Sequence, residues 1–446
     1  YKLLNNVVGG VVFLISLVTY LLTIEPTASF WDCGEFISTA YKLEIGHPPG
    51  APFFMLMARF FTLFASDVHE VAKMVNIFSA FMSALTILFL FWTITHLARR
   101  LVIKAESDFT LGNTIAILGA GTVGALAYTF SDTFWFSAVE AEVYASSSMF
   151  TAIVFWAMLK WEDVADRPFA NRWLILIAYL MGLSVGVHLL NLLSIPVLVL
   201  VYYFRKFKFS WKGVGISFAV SVVLLAVILY GIIPGFVTVA GWFELLFVNV
   251  FGFSFNTGVI IYSIALISCL VGGIYTSYSE KFEDSKLPTI LFIASVALLG
   301  IPFFGSHIVL GIVILVAMAG YFFFTEKGRN TQMSLLNTVL TCLTVILLGY
   351  SSYATLVIRS NANPPMDQNS PDDVFTLKSY LNREQYGDTP LLYGESFASE
   401  FKYDRSGSVA KEYGEDLWAK KIKNNENEPD AYYAHDKKTK SSYQSP

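Results

Sequence analysis

The sequence predicts an all-α polytopic membrane protein with a small mixed α/β tail, and three observations lead to this fold class. Hydrophobic residues make up 55% of its 446 positions and charged residues 14%, whereas about a quarter of a soluble globular domain is charged. The charged residues are unevenly spread, because residues 1–356 hold 37 of the 64 and residues 357–446 hold the other 27. Apolar runs of about 20 residues, the length that spans a bilayer core, recur along the first part. We therefore exclude a soluble enzyme and predict a membrane domain over residues 1–356 and a water-exposed C-terminal segment over residues 357–446.

The membrane domain is predicted to contain about eleven transmembrane helices. Seven follow directly from apolar runs of suitable length, near residues 4–24, 74–98, 111–130, 139–159, 213–235, 257–277 and 334–356. The stretches 173–204 and 287–324 are too long for one span, and basic residues flank both ends of each. Because basic residues favour the cytoplasmic side, each stretch is predicted to form two short helices. The junctions are expected near His188 and at residues 301–305.

Residues 52–65 form a shorter apolar run that begins at a double proline and contains Arg59. We expect a re-entrant or interfacial helix here rather than a span. If residues 52–65 do not cross the membrane and eleven helices do, 15 of the 18 Lys and Arg residues that precede residue 357 lie on the cytoplasmic side. The asymmetry places the first outer loop, residues 25–73, and the C-terminal segment on the outer side of the membrane.

The C-terminal segment is predicted to contain a helix around Val374–Tyr380. From Asn424 onward the chain is polar, rich in Asn and Lys and without apolar periodicity, so we expect partial disorder there. The net charge is −4 and no basic block stands out, which argues against nucleic acid as a partner. The chain also carries no nucleotide-binding loop and no zinc-protease motif.

The first candidate site lies in the first outer loop. Asp32 and Glu35 are three residues apart, which places both carboxylates on one face of a helix. Their neighbours are aromatic or small, as with Trp31, and this indicates a pocket at the membrane surface. A carboxylate in such a pocket can act as a general base if a cation keeps it ionised, although acidic residues in a water-facing loop are often just solvated. His47, before the double proline, either binds a phosphate or caps the turn.

Two further clusters are predicted on the same outer side. Glu140 and Glu142 lie at the membrane edge, where an ionisable group is costly; Glu142 is the better functional candidate, and one outward-facing glutamate is the simpler alternative. His188 is either a ligand or a packing residue, and Asn191 could share its site by hydrogen bonding. Arg59 is a natural counter-ion for a lipid phosphate, unless it only reaches the headgroups. Together these clusters suit a reaction whose donor is a membrane lipid.

Several motifs resemble a known family. The run EPTASFWDCGEF at residues 25–36, followed by GHPPG at 46–50, resembles the signature of large polytopic membrane proteins of Bacteroidetes, formerly a domain of unknown function. That family is grouped with a eukaryotic protein O-mannosyltransferase of plexin-type receptors. The segments EVY at 142–144, HLLN at 188–191 and YLNREQYGDTPLL at 380–392 also look like this family. More distantly, the first outer loop resembles enzymes of the GT-C glycosyltransferase superfamily.

The resemblance implies a GT-C-like helical bundle in a bacterial inner membrane, with the active site and the C-terminal segment on the periplasmic side. The implied reaction is an inverting transfer of a sugar, with mannose expected, from a polyprenyl-phosphate carrier to Ser or Thr of exported proteins. Asp32 matches the position of the general base, and Glu35 would support it. Members of the family are often longer, so the C-terminal segment is expected to be truncated.

The remaining assignments follow from this reaction. Departure of the donor phosphate needs charge stabilisation, and this role is assigned to His47, Arg59 and His188. Contacts to the sugar or the acceptor are assigned to Trp31, Glu142, Tyr144 and Asn191. The lipid-linked sugar takes the place of a cofactor, and a divalent metal is left open because no ligand set demands one. The expected partners are membrane lipids, exported acceptor proteins and a protein translocon.

Two other functions stay open from the sequence. Eleven spans also suit a lipid or polymer transporter, or a membrane scaffold of an export machine. A transferase that modifies a glycolipid would share the donor site with a protein glycosyltransferase.

Overall fold

The computed structural model describes residues 1–387, 399–425 and 427–441 of the chain, and within these ranges most of the protein is helical. The α-helices in chain order are α1 (Lys2–Leu22), α2 (Cys33–Lys42), α3 (Pro52–Thr62), α4 (Val71–Val102), α5 (Leu111–Thr129), α6 (Asp132–Ala138), α7 (Val143–Val164), α8 (Asn171–Val185), α9 (Ile195–Lys206), α10 (Trp211–Ala226), α11 (Ile233–Leu245), α12 (Thr257–Tyr278), α13 (Leu287–Leu298), α14 (Ile308–Phe324), α15 (Glu326–Arg329), α16 (Met333–Tyr350), α17 (Ala354–Ser360) and α18 (Val374–Leu381). Two strands, β1 (Lys411–Lys420) and β2 (Tyr432–Ser441), pair in antiparallel fashion.

The helices agree with the predicted fold class. Eight stretches in the described ranges are long and apolar enough to cross a bilayer, and they are Lys2–Leu22, Val68–Val102, Leu111–Thr129, Val143–Val164, Leu189–Lys206, Trp211–Val250, Thr257–Tyr278 and Met333–Ser360. The shorter apolar helices α8, α13 and α14 coincide with the other three predicted spans. The prediction of an all-α polytopic membrane protein is therefore confirmed, while the number of helices that cross the membrane and their orientation stay predictions.

Both long apolar stretches are divided where the sequence predicts. The first is broken between the end of α8 at Val185 and a 3-10 turn that begins at Leu189. The second is broken between α13 and α14, where Gly300 and Phe304 adopt left-handed backbone conformations around Pro302. Proline and left-handed residues cannot continue an α-helix, which explains why the second stretch turns at this point. The short run after the double proline forms α3, whose 11 residues reach about 16 Å, half of the bilayer core.

Internal contacts divide the chain into two units. The first consists of Tyr1–Val227, Gly273–Thr289 and Asn330–Gln368, and the second of Ile228–Gly272, Ile290–Arg329 and Asn369–Pro446. This division does not follow the predicted domain boundary after residue 356, because residues up to 368 group with the first unit and the later ones with helices of the second.

In the first unit α4 is the central helix, and it packs against α1, α3, α5 and α7. Its buried face carries small hydroxyl residues, such as Ser79 and Ser83, next to large apolar ones such as Phe91. Small residues let helices approach closely within a membrane. Tyr20 of α1 is fully buried in the same core and donates a hydrogen bond to the Thr129 carbonyl of α5 at 3.1 Å.

In the second unit the C-terminal segment contains more regular structure than its sequence indicates. Helix α18 matches the predicted helix at Val374–Tyr380. Residues 432–441, for which the composition predicts no regular element, form β2, and partial disorder from Asn424 onward stays a prediction. Tyr432 at the start of β2 is buried, and its ring lies 4.8 Å from that of Phe375. This strand of low apolar content is held by pairing with β1 and by the buried aromatic contact, and composition alone shows neither.

Candidate functional site

The first outer loop is fixed to the segment that precedes α7. The backbone N–H of Glu25 donates to the Val139 carbonyl at 3.2 Å. Asn76 of α4 is fully buried, and its amide donates to the carbonyls of Glu25 and Thr27 at 2.6 and 2.9 Å. Since a buried amide that loses its partners costs about 1–3 kcal/mol, these bonds hold the loop in one place. The start of α2 is thereby brought next to residues 139–142.

An acidic cluster forms at this junction, and it consists of Asp32, Cys33, Glu140 and Glu142. The Cys33 thiol is buried and lies 3.8 Å from a carboxylate oxygen of both Glu140 and Glu142. Each of these glutamates is only 5% exposed. Asp32, which is exposed at the N-terminus of α2, donates its backbone N–H to the Glu142 carboxylate. The simpler alternative of one outward-facing glutamate does not hold, because both side chains are buried.

Burial and crowding make it harder for these groups to ionise. Burial is the main cause that raises the pKa of Glu142 to about 7, and the charges of Asp32 and Glu140 add to it. Burial also raises the pKa of Glu140, against hydrogen bonds from Ser29 and Cys33. The pKa of the Cys33 thiol rises to about 12, again mainly through burial. Glu142 precedes the first residue of α7, outside the membrane-spanning helix, and can hold or release a proton near neutral pH.

Glu35 and His47 bind each other rather than two separate groups. One Glu35 carboxylate oxygen accepts the backbone N–H of His47 at 2.7 Å and lies 2.8 Å from its Nδ1, while the other accepts the Gln368 amide at 3.2 Å. Burial would raise the pKa of Glu35, but the hydrogen bonds and the charge of His47 together lower it. A Cβ at Gly46 would lie 2.4 Å from the Glu35 carboxylate, so this contact requires a glycine. The structure therefore gives Glu35 a positioning role between loop and helix.

Tyr144 and His188 meet beside the acidic cluster. Their ring centroids are 5.5 Å apart, and the Nδ1 atom of His188 accepts the backbone N–H of Leu190 at 3.1 Å. Just before His188, the Gly186 carbonyl accepts the backbone N–H of Phe53 at 2.8 Å, which attaches the first turn of α3 to the same place. The second and third predicted clusters are thus brought together.

A cavity of about 350 Å³ opens beside Tyr144. Seven of its lining residues carry hydroxyl groups, and they are Thr86, Thr93, Tyr128, Tyr144, Ser147, Ser148 and Thr151. Leu90 and Phe155 contribute apolar walls.

Two predicted site residues, Asn191 and Arg59, bind neighbouring side chains. Asn191 is fully buried, and its amide donates to the Ser184 hydroxyl at 2.8 Å. Arg59 lies over the Tyr41 ring, 5.3 Å from its centroid, and donates to Thr62 at 3.1 Å. Its position is seven residues after the start of α3, which is about 10 Å along the helix axis. The assignment of His47, Arg59 and His188 to the donor phosphate stays a prediction.

Trp31 is the most exposed of the predicted contact residues, at 89%. Its backbone is left-handed, with φ of 59°, a conformation that non-glycine residues rarely adopt outside functional sites and turns. The neighbouring Phe30 is also exposed. The two rings form an accessible aromatic surface directly before Asp32.

Sequence reasoning missed three contributors to this arrangement. Cys33 could have been noticed because it directly follows Asp32. Nothing in the sequence connects Asn76 or Gln368 with the loop. In the part of the chain that the structure describes, no group of three or more His, Cys, Asp or Glu side chains is arranged to hold a metal ion. The last residues of the motif at 380–392, from 388 onward, lie outside the described residues.

Comparisons with known proteins agree with the motifs. Residues 32–211 match the family model described as the protein O-mannosyl-transferase TMEM260 N-terminal domain. The protein O-mannosyl-transferase tmem260 of Dictyostelium discoideum is 24% identical over 200 residues, which are 43% of this chain and 22% of that protein. The protein O-mannosyl-transferase TMEM260 of Mus musculus is 26% identical over 165 residues, which are 37% of this chain and 21% of that protein.

The matched region thus spans about a fifth of the length of each curated relative. No solved structure matches the chain. The family match includes the acidic cluster, the Glu35–His47 pair, Tyr144 and His188. The resemblance that the motifs predict is therefore confirmed, and residues 32–211 of this chain are similar to the N-terminal domain of the TMEM260 protein O-mannosyl-transferases.

Proposed function

We propose that this chain is the membrane part of an inverting protein O-glycosyltransferase. Its donor would be a polyprenyl-phosphate sugar, with mannose as the sugar, and its acceptors Ser or Thr hydroxyls of exported proteins. The single observation that carries this proposal is the acidic cluster, in which an exposed Asp32 stands in front of two buried glutamates. The names of the matched relatives support a sugar transfer to protein.

In the proposed reaction the acceptor hydroxyl oxygen attacks C1 of the sugar from the side opposite the phosphate. The bond between C1 and the phosphate oxygen breaks, and its electron pair leaves with the phosphate. Asp32 takes the hydroxyl proton as a general base. Glu142, which lies beside Asp32 and has a pKa of about 7, can exchange this proton at neutral pH.

The other residues would bind and orient the substrates. His188 and Tyr144 lie on the side of the acidic cluster where α3 begins, and we assign the donor phosphate to His188 in particular. The exposed rings of Trp31 and Phe30 offer an apolar face for the sugar or the acceptor. Glu35 keeps His47 and the loop in place. We place this site on the periplasmic face of a bacterial inner membrane, where an acceptor could arrive from a translocon.

The decisive experiment is Asp32→Asn, assayed in membranes that contain the full chain. Loss of a general base should lower transfer of labelled mannose from polyprenyl phosphate to protein by about 100-fold or more. Asp132→Asn is the matched control, because Asp132 is an exposed carboxylate at the start of α6, eight residues before Glu140. We expect this control to retain wild-type transfer.

Three results would contradict the proposal. Full transfer in the Asp32→Asn variant would remove the assigned base. Label that enters glycolipid instead of protein would show a glycolipid-modifying transferase. A wild-type protein that transfers no sugar but moves the lipid across the membrane would show a transporter.

A further inference from the structure

A second polar pocket lies in the first unit, far from the acidic cluster along α4. Asn76, near the acidic cluster, and His96, in the second pocket, are 20 residues apart on this helix. This separation corresponds to about 30 Å, the thickness of the bilayer core. With Asp32 on the periplasmic side, the second pocket opens at the cytoplasmic side.

The pocket has a volume of about 680 Å³ and lies between the start of α1 and the ends of α4 and α7. Four cationic side chains line it, and they are Lys2, Arg99, Lys160 and Arg167. Asp163 is the one carboxylate of the lining. The lining therefore carries an excess of positive charge.

Most of this charge is not neutralised by the protein. Arg99 lies 3.7 Å from the Asp163 carboxylate, which also binds Arg100. Across the described residues, no carboxylate lies within 4.0 Å of the ammonium or guanidinium groups of Lys2, Lys160 and Arg167. Three cations around one pocket repel each other unless an anion joins them.

A buried polar atom also lines the pocket without a hydrogen-bond partner among the described residues. His96 is 7% exposed, and its Nε2 atom makes no hydrogen bond to any described residue. The Nδ1 atom of the same ring lies 3.8 Å from Asp163. A buried polar atom of this kind is costly unless a ligand or water pairs with it. The indole rings of Trp92 and Trp156 complete the wall, as is common where a helix meets the headgroup layer.

We propose that this pocket binds a phosphate group, carried by an anionic lipid headgroup or by a soluble phosphate. Lys160, which lies 5.3 Å from the Trp156 ring centroid, and Arg167 supply positive charge, and His96 Nε2 can donate to a phosphate oxygen when it carries the ring proton. Basic pockets between transmembrane helices on the cytoplasmic side bind anionic headgroups in this way. An ordinary cytoplasmic surface carries scattered cations, but it does not combine them with a buried histidine nitrogen in one pocket. This inference does not depend on the proposed transferase activity.

The test measures ligand binding to the purified full chain in neutral detergent by titration calorimetry. The probes are dioctanoyl phosphatidylglycerol, inorganic phosphate and, as the phosphate-free control, dioctanoylglycerol. We expect saturable binding of at least one phosphate probe and none of dioctanoylglycerol. Binding of the lipid alone identifies a headgroup site, and equal binding of inorganic phosphate identifies a soluble ligand.

Variants locate the site. Lys160→Gln and Arg167→Gln should each weaken phosphate binding by about tenfold, and Arg167 is exposed, so its change leaves the packing intact. Arg172→Gln is the control, because Arg172 is an exposed cation of the same predicted side outside the pocket. The proposal is overturned if no phosphate probe binds, or if the two pocket variants bind as tightly as Arg172→Gln.

Discussion

Glu142 shows how a single residue can combine a structural cost with a chemical use. Its carboxyl group is buried beside Asp32 and Glu140, and this raises its pKa to about 7. A water-exposed glutamate would be ionised at neutral pH and would exchange no proton there. The burial that makes Glu142 useful for proton transfer also makes its charged form destabilising.

This cost leads to a prediction for the pH dependence of stability. The folded protein keeps a proton on Glu142 that the unfolded chain releases at a pH near 4.5. The contribution of this group to the free energy of unfolding therefore falls as the pH rises from about 4.5 to 7, by roughly 3 kcal/mol at most. Glu142→Gln should remove this fall, so its midpoint of thermal unfolding should decline less than that of the wild type between pH 5 and 8.

Thermal unfolding in detergent at several pH values checks this expectation. Asp132→Asn is again the control, since Asp132 is exposed, and its pH profile should follow that of the wild type. Parallel profiles for Glu142→Gln and the wild type would mean that Glu142 holds no proton in the folded state.

For single residues, the sequence predicts the side of the membrane on which they gather better than it predicts their hydrogen-bond partners. The placement of Asp32, Glu142, Tyr144 and His188 around one junction follows from their common side in the predicted topology. Glu35 differs, because it binds His47 and a glutamine 333 residues further along the chain. Such pairings depend on how the loop packs against the rest of the unit, and local patterns do not contain this information.

Among whole elements, helices α8 and α16 pack so closely that their contact requires small residues. A Cβ at Gly182 of α8 would lie 2.4 Å from the Ile346 carbonyl oxygen of α16. A Cβ at Gly349 of α16 would lie 2.4 Å from the Leu183 backbone nitrogen of α8. The two helix backbones therefore touch at a pair of glycines, the arrangement that allows tight helix packing in membranes.

We predict that Gly182→Ala lowers stability although alanine favours helices. The new methyl group would force the two backbones apart, and overpacking of this kind costs about 1–3 kcal/mol. Gly119→Ala on α5 is the matched control, because a Cβ there meets nothing within 4 Å. Alanine should stabilise that position by up to about 1 kcal/mol. Opposite shifts in the midpoint of thermal unfolding are expected, and equal shifts would contradict the close contact of α8 with α16.

Most helices could be predicted at this scale because apolar length and flanking charge are local properties. The division of residues 173–204 into two helices follows from basic residues at both ends. Strand β2 could not be predicted, since the buried ring of Tyr432 and its contact with Phe375 come from different parts of the chain. The sequence therefore predicts an element best when the element's own residues decide its structure, and less well when contacts with distant residues decide it.

For the molecule as a whole, the distribution of basic residues predicts the orientation in the membrane. Helix α4 gives the sharpest case, because Arg99 and Arg100 stand at its C-terminal end and the acidic cluster lies near its N-terminal end. The proposed active site and the proposed phosphate pocket take opposite sides of the bilayer only if α4 crosses it. Both proposed locations therefore require that α4 crosses the membrane with its N-terminal end on the periplasmic side.

We predict that the two ends of α4 are accessible from opposite sides. His69 precedes α4 and Ser107 follows it, and both are exposed. In right-side-out spheroplasts, a membrane-impermeant maleimide should label the His69→Cys variant at once and the Ser107→Cys variant only after lysis. The unsubstituted chain gives the baseline, because Cys33 is buried and Cys269 and Cys342 are partly buried in helices. Labelling of Ser107→Cys alone before lysis would reverse the topology and move Asp32 to the cytoplasm, and labelling of both would mean that α4 does not cross the membrane.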